Sequence, residues 1–418
     1  MHDISIKSEK AYNNNPLTLL QQLGFRTALL AMRILSGRAN VQIESSPQGL
    51  VFFRHQNFLI ETNSRYLTQF AKACMTGNGD LCFGEGYMNE EWRVLEGSLD
   101  NILFAALQVW DESFFTSFLR RLQQKDFLFN QNNSPETSRD NVAHHYDLGN
   151  ALYKQFLDGE LNYSAGIFDS KAFDVKQLNS AQRRKNNLLV ELLDLSPKSK
   201  VLEIGCGWGA LSRVIAEKSS EVTGISLSEE QIDYCLEKSK GLFENTNINY
   251  RLQDYRDYCQ KYQKQYDRVV SVEMFDHVGK GHHEDFFNSA YSALTDDGVL
   301  VMQVLVRPRP STTSRWIDKY IFPGAYIAAF SEMEKAYSSV GFYLDEEKSV
   351  KYSGMHYATT LAAWKETFKD DWEDIQRQGY DARFYRMWFY YLSASQMIFE
   401  NGGFYTMHLR LKKGKSHG

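Results

Sequence analysis

The sequence predicts an α/β protein: a mostly parallel sheet covered by helices on both faces, preceded by a smaller α+β region. Three observations predict it. Between residues 200 and 306, short apolar strand runs alternate with helical stretches of ten or more residues, as in βαβ units. Residues 41–62 instead hold three β-branched and aromatic runs (VQIE, LVFFRH, FLIET) separated by SPQG and HQN, the pattern of a small sheet of hairpins. Between the two regions lies QNNSPETSRD, residues 131–140, which contains no apolar residue and reads as a linker. The expected division is a flexible tail over 1–16, an N-terminal domain over 17–130, the linker over 131–140 and the main domain over 141–418.

The elements follow in order. Residues 1–16 are polar and Asn-rich, while apolar positions recur at helical spacing from Leu17 to Leu35. Residues 67–76 and 98–126 read as helices. In the main domain, Lys200 to Ile204 is a strand, followed by a glycine cluster and a helix to Lys218. Glu221 to Ser226 is a second strand, with a helix from Glu229. Tyr250 to Leu252 and Tyr266 to Met274 are the third and fourth strands, His283 to Leu294 is a helix, and Val299 to Val306 is the fifth strand. The alternating HLRLKK near the end reads as a last strand.

Composition narrows the function. A hydrophobic fraction of 43% with 24% charged residues is that of a folded globular chain. Apolar runs such as Ile102 to Leu107 are far short of a membrane span. No apolar segment suggests a signal peptide at the N-terminus, and the five cysteines form no CxxC pair, so reduced thiols in a cytoplasmic protein are expected. The net charge of −5 argues against a nucleic-acid partner. Aromatic residues reach 14%, enough for a large aromatic core and for a pocket that takes a long apolar ligand or a cation.

The sharpest motif is VLEIGCGWGAL, Val201 to Leu211. A strand ends at Glu203-Ile204, and Gly205, Gly207 and Gly209 follow at alternate positions, letting the backbone turn tightly and approach a ligand. The acid before the turn would repel a pyrophosphate but can pair with an ammonium, which suits S-adenosylmethionine better than NAD. Ser226 and Gln231 stand where ribose hydroxyls are met after the second strand. Asp254 can accept from an adenine amino group, with Tyr255 packing on the ring. EMFDHVG follows the fourth strand and puts Asp276 and His277 at the carboxyl end of the sheet, where ligands bind in such folds; a helix-capping role for Asp276 weighs nearly as heavily.

Six blocks in order resemble the cyclopropane fatty-acyl-phospholipid synthases and the related mycolic acid cyclopropane synthases: HYDLGNALYKQFLDGELNYSAGIF (145–168), VLEIGCGWGAL, LQDYRDY (252–258), SVEMFDHVG, WIDKYIFPGAY (316–326) and HYATTLAAWKETF (356–368). GEGYMNEEW (84–92) is similar to the end of the lipid-binding domain of the longer members. The resemblance implies a Rossmann-like S-adenosylmethionine-dependent methyltransferase domain with a mostly parallel seven-stranded sheet, and a lipid-engaging domain ahead of it. It implies methyl transfer to the cis double bond of an unsaturated phospholipid acyl chain, most simply closing a cyclopropane ring, with a methyl or methylene branch as the rival product. A methyltransferase for a soluble amine or ring and a non-catalytic lipid- or cofactor-binding protein are the readings from other classes.

By the same resemblance Tyr163, Ser164, Glu203, Gly205, Gly207, Gly209, Ser226, Gln231, Asp254 and Tyr255 contact the cofactor. Family members hold a bicarbonate as base with a cysteine, a glutamate, a histidine and a tyrosine. This chain has Ala165, Asp276, Gln303 and Tyr357 there, and Ser395 where a later family cysteine stands. Gln303 is expected to donate to an anion through its amide. The resemblance further implies peripheral contact with the inner membrane face, and it admits a homodimer. The run Arg307 to Pro310, together with Lys319, is expected near the pocket mouth, meeting lipid phosphate.

Overall fold

The computed structural model describes residues 41–46, 49–112, 149–240 and 247–414. The expected helix at 17–35, the linker at 131–140 and the far end of the 98–126 helix lie outside the described residues.

The chain forms two compact units. The first has a four-stranded antiparallel sheet, β1 (Gln42–Ser45), β2 (Leu50–His55), β3 (Phe58–Asn63) and β4 (Trp92–Glu96), in that order. Helices Ser64–Met75, Gly79–Met88 and Leu99–Glu112 accompany it. Asn63 starts the first of these, its side chain accepting from the Tyr66 N–H at 2.8 Å.

Two later segments, Ser314–Ile321 and Trp372–Gly402, also belong to this unit, so it is discontinuous in sequence, unlike the expected 17–130 domain. Side chains explain the recruitment. The Asp80 carboxylate accepts from Ser314 Oγ at 2.9 Å and from the Arg315 N–H at 2.7 Å. Glu85 Oε1 accepts from Lys319 Nζ and Tyr320 Oη, both at 2.6 Å. Trp316 is buried, and its indole N–H points at Met88 Sδ, 3.2 Å away. The GEGYMNEEW block is therefore a docking face for a segment more than 220 residues downstream.

The second unit holds the large sheet, with β5 (Lys200–Ile204), β6 (Glu221–Ser226), β7 (Asn247–Leu252), β8 (Tyr266–Val272), β9 (Leu294–Val306), β10 (Phe342–Leu344), β11 (Val350–Tyr352) and β12 (Tyr405–Lys413). The order is β10-β12-β9-β8-β5-β6-β7, and β11 also pairs with β12. Strands β5 to β9 run parallel, and β12 lies antiparallel to β9. Eight strands fill seven ranks: β10 pairs with Leu411–Lys413 and β11 with Thr406–His408 of the same strand. The fourth strand ends at Val272, two residues earlier than the sequence suggests, because Glu273 has a φ of +49° and turns the chain out of the sheet.

Both faces of the sheet are covered, which is why its strands read as continuous apolar runs. Leu300, Met302, Val304 and Val306 of β9 join one core cluster, and Val299 and Val301 join the other. Each fully buried side chain of this kind contributes roughly 1.5–3 kcal/mol. Among the described residues, no helix is long and apolar enough to cross a membrane.

The first unit offers a direct test of its discontinuity. A Cβ at Gly84 would lie 2.4 Å from Trp316 Cδ1, and the buried indole has little room to yield. Gly84→Ala is expected to destabilise the unit by about 1–3 kcal/mol despite the better helix propensity of alanine. A urea titration that shows a lowered midpoint for the variant checks this.

Candidate active site

The site is built at the carboxyl ends of β5, β6, β8 and β9, with an irregular segment, residues 161–168, laid across them. This segment has no strand or helix of its own. Side chains from other elements satisfy its polar groups. Asp158 accepts from the Asn162 N–H at 2.6 Å. Lys185 Nζ donates to Ser164 Oγ at 2.8 Å and Asn162 Oδ1 at 3.1 Å. Gln182 donates to the Ser164 carbonyl at 2.8 Å, Gln303 to the Ala165 carbonyl at 2.9 Å, and the Ala165 N–H to Glu273 Oε1 at 2.9 Å. The Gly166 and Phe168 N–H groups reach Thr360 Oγ1 and His356 Nδ1 at 3.0 and 3.1 Å. Tyr163 stands within this clamp, its ring 5.2 Å from Trp364, 5.3 Å from Tyr153 and 6.5 Å from Phe322.

The glycine loop follows β5. Gly205 carries a φ of +82°, and a Cβ there would lie 2.7 Å from Met274 Cγ, so the loop and the turn after β8 pack backbone to side chain. Gly207 has a φ of +51°, and a Cβ built on it meets nothing within 4 Å. That open space is a cradle in which a ligand can lie against the backbone. Gly209 precedes the helix Ala210–Ala216.

Glu203 is buried and accepts from Ser212 Oγ. Burial pushes its carboxyl up to about 7, against the pull of the Ser212 hydrogen bond and of the Lys185 and Arg213 charges. Lys185 is equally buried, and burial brings its ammonium down to about 8. A second raised acid, partly buried, lies after β8. Burial raises Glu273 to about 7 although Gln303 and the Ala165 N–H both bond it. Asp276 is pushed well above the carboxylate range by burial and then by the Glu273 charge, and its Oδ1 has no hydrogen-bond partner. Its surroundings thus favour the protonated form. His277, with its ring 5.4 Å from Phe322, is lowered to about 4 by burial and is neutral at pH 7.

The other expected positions fall as follows. Ser226 Oγ donates to Gln231 Oε1 at 2.8 Å, so these two form one cluster. Asp254 caps the helix Tyr255–Lys261 and accepts Arg256 as a fork at 2.9 and 2.7 Å, which leaves its carboxylate little spare capacity. The Tyr255 ring lies in the core, edge-on to Phe286 at 5.6 Å. Tyr357 is buried on the helix Met355–Asp370, its ring edge-on to Trp364. Ser395 lies on the helix Ala382–Asn401 and belongs to the first unit, so it is not among the groups gathered in the second.

One expectation is corrected. Gln303 does not offer its amide to an anion: both amide hydrogens are spent, on Ala165 O at 2.9 Å and Glu273 Oε1 at 2.7 Å, and its oxygen accepts from His408 Nε2 at 2.7 Å. Of the basic run, Arg307 is buried over the Tyr326 ring and donates through Nη2 to the Thr312 carbonyl, while its Nη1 has no hydrogen-bond partner among the described residues; Lys319 is paired with Glu85 in the first unit.

Sequence reasoning missed Glu273, Lys185 and His408. Glu273 lies in EMFDHVG at the end of the strand, where position alone points to Asp276 and His277. Lys185 lies in QRRKNN, which reads as a solvated charge run. The signal was its spacing with Leu178, Ala181, Gln182 and Leu189, which puts it on the buried stripe of the helix Leu178–Leu193.

A glycine loop with a buried acid before it, at the carboxyl end of a seven-ranked sheet closed by an antiparallel strand, defines an S-adenosylmethionine-dependent methyltransferase. Residues 133–409 match the family described as mycolic acid cyclopropane synthetase. The chain is 32% identical over 344 residues to the cyclopropane-fatty-acyl-phospholipid synthase of Escherichia coli, covering 81% of this chain and 85% of that one. It is 31% identical to the tuberculostearic acid methyltransferase UfaA1 of Mycobacterium tuberculosis, covering 78% and 77%. The cyclopropane synthase MmaA2 of Mycobacterium tuberculosis has a similar fold, with a TM-score of 0.59 at 28% identity over 66% of this chain and 98% of that one. The chain belongs to the mycolic acid cyclopropane synthetase family.

The buried acids give stability a defined pH dependence. Glu203 and Glu273 titrate at about 7 in the folded, ligand-free protein, above the ordinary 4.5. The folded state thus binds more protons between these values, and the stabilisation present below pH 4.5 is lost as pH rises through 7. For Glu203 this loss is on the order of 3 kcal/mol. Glu203→Gln is expected to flatten the fall in unfolding free energy between pH 4.5 and 7.5, as read by urea titration at the two pH values.

Proposed function

We propose that this enzyme transfers a methyl group from S-adenosylmethionine to the cis double bond of an unsaturated phospholipid acyl chain, with a cyclopropane ring as the product. The observation that carries the reading is the extent of the similarity to the Escherichia coli synthase. At 344 residues it must reach ahead of residue 133 and so take in part of the first unit.

The residues present fit the cofactor. The space above Gly207 is open, and the buried Glu203 carboxyl gains a partner when an ammonium arrives. When bound, S-adenosylmethionine supplies an electrophilic methyl on a sulfonium. In this reading Glu203 holds the amino group, and the Gly205 to Gly209 backbone lies along the amino-acid moiety. Ser226 and Gln231 serve the ribose, and Asp254 with Tyr255 borders the adenine. Tyr163 and Ser164 close the cofactor site, with Lys185 and Gln182 fixing Ser164. An alkene is a weak nucleophile, so positioning and the exclusion of water supply most of the rate. Tyr163, Phe168, Phe275 and Tyr357 offer aromatic faces that steady a cation without trapping it.

Bicarbonate does not fit. Ala165 has no side-chain donor, and Gln303 has no amide hydrogen to spare. No step is assigned to such an anion.

A second product is favoured by one comparison. A relative of similar identity is named a tuberculostearic acid methyltransferase, so methylation that leaves a branch in place of a ring is the alternative outcome. Purified enzyme with S-adenosylmethionine and vesicles of cis-unsaturated phosphatidylethanolamine is expected to add one methylene mass per modified chain. Proton NMR of the released esters should show upfield ring methylene signals. Methylated chains without those signals select the branch, and chains of unchanged mass reject the lipid reading. Gly207→Val fills the cradle and strains a left-handed backbone position. It should abolish S-adenosylhomocysteine binding by calorimetry while the far-UV circular dichroism is kept.

A further inference from the structure

Ring closure, or the alternative branch, needs a base beside the methylated carbon. The position that family resemblance gives to an imported anion is occupied here by a side chain of the protein. Glu273 follows β8 directly, turned out of the sheet by its φ of +49° and held there by its own N–H, which donates to the Gln303 carbonyl at 2.8 Å. Its Oε1 accepts from the Ala165 N–H at 2.9 Å and from Gln303 Nε2 at 2.7 Å. Ala165 and Gln303 are the two positions where the family pattern has a thiol and an imidazole. Both now bind the Glu273 carboxylate.

The orientation of this unit is fixed from behind. Gln303 spends its second amide hydrogen on the Ala165 carbonyl, so its oxygen must face His408, and His408 Nε2 is the donor at 2.7 Å. The ring of His408 is neutral, brought down to about 3 by burial. A chain of donors thus runs from β12 through β9 to one oxygen of Glu273 and requires that oxygen to accept. The other oxygen, Oε2, has no hydrogen-bond partner among the described residues, and the side chain is only partly buried. The titratable groups coupled electrostatically to Glu273 are Lys185, from the helix Leu178–Leu193, and Asp276, on its own turn. Burial and the Glu273 charge both favour the protonated form of Asp276. Glu273, at about 7, can take a proton near neutral pH.

We infer that Glu273 is the resident base of this enzyme, taking through Oε2 the proton that the methylated acyl chain must lose. The inference rests on the alkene reading above. In the step, the alkene π pair forms a carbon–carbon bond to the methyl carbon while the methyl–sulfur bond breaks and its pair stays on sulfur. The positive charge passes to the other alkene carbon. Glu273 Oε2 then takes a proton from the new methyl group, and the freed C–H pair closes the ring. If the cation has first shifted by hydride migration to the methyl-bearing carbon, loss of a methyl proton gives the methylene branch. In either case one sulfonium and one carboxylate become a neutral thioether and a neutral acid.

The test is Glu273→Gln, which keeps an oxygen for Ala165 and Gln303 to bond. Its S-adenosylhomocysteine affinity should stay within about threefold of wild type, while methyl transfer to vesicles of cis-unsaturated phosphatidylethanolamine falls at least about 100-fold. The wild-type rate should rise with pH through about 7 and be unchanged when bicarbonate is stripped from the buffer. A variant at the wild-type rate, or a wild type that stops without bicarbonate and recovers with it, overturns the inference. A lipid-independent arm uses decyltrimethylammonium, a stand-in for the cation, with S-adenosylhomocysteine present. Wild type should bind it more tightly as pH rises through 7, and Glu273→Gln should bind it weakly at every pH. Binding by wild type that does not vary with pH overturns the placement of Oε2. pH-dependent ammonium binding by an enzyme that leaves lipid unmethylated overturns the alkene reading alone.

Discussion

The active site depends on a segment that cannot hold itself. Residues 161–168 have no ladder partner, yet most of them are buried, and a buried backbone group without a partner costs about 1–3 kcal/mol. The second unit meets that demand with side chains: Lys185 and Gln182 from one helix, His356 and Thr360 from another, and Glu273 and Gln303 from the end of the sheet. Because Ser164 and Ala165 are each held by two bonds, and Gly166 and Phe168 by one each, these residues are placed to within the tolerance of a hydrogen bond. Pre-organisation of this kind suits a reaction whose nucleophile is weak, since little remains to be ordered when the substrate arrives.

The same burial sets the charges. Glu203, Lys185, Glu273 and Asp276 lie close enough to appear in one another's titration, and each is moved toward its neutral form. The shifts are unequal because the partners are unequal. Glu203 and Glu273 have donors and the Lys185 charge to support the anion, and both are held at about 7. Asp276 has an oxygen without a partner and a like charge beside it, and both push it upward. Two acids three residues apart thereby stand in different electrostatic surroundings.

The replaced positions make sense together. Alanine at 165 removes a side-chain donor but leaves its backbone N–H and carbonyl. Glutamine at 303 fits between that carbonyl and His408 on the neighbouring strand, its register partner. Glutamate at 273 takes the hydrogens that both now offer. Taken singly, each residue reads as a lost ligand, but as a set they are a closed hydrogen-bond circuit with one carboxylate oxygen left over.

The sequence by itself determined the sheet and the cofactor loop, because both depend on local pattern. Apolar runs of strand length, alternating with helices, dictate a covered parallel sheet, and a Gly-x-Gly-x-Gly turn after an acid can be made from few other residues. It did not determine that Trp316 would pack against Gly84, that Ser395 would join the first unit, or that Gln303 would be fully bonded. Those outcomes depend on which residues distant in sequence become neighbours. Lys185 makes the point most clearly: a lysine among arginines reads as surface, and only the packing of its helix on the site converts it into a buried donor to Ser164. Tertiary structure decided the charge states for the same reason, since the raised acids at 203 and 273 owe their shifts to burial, which no single sequence position carries.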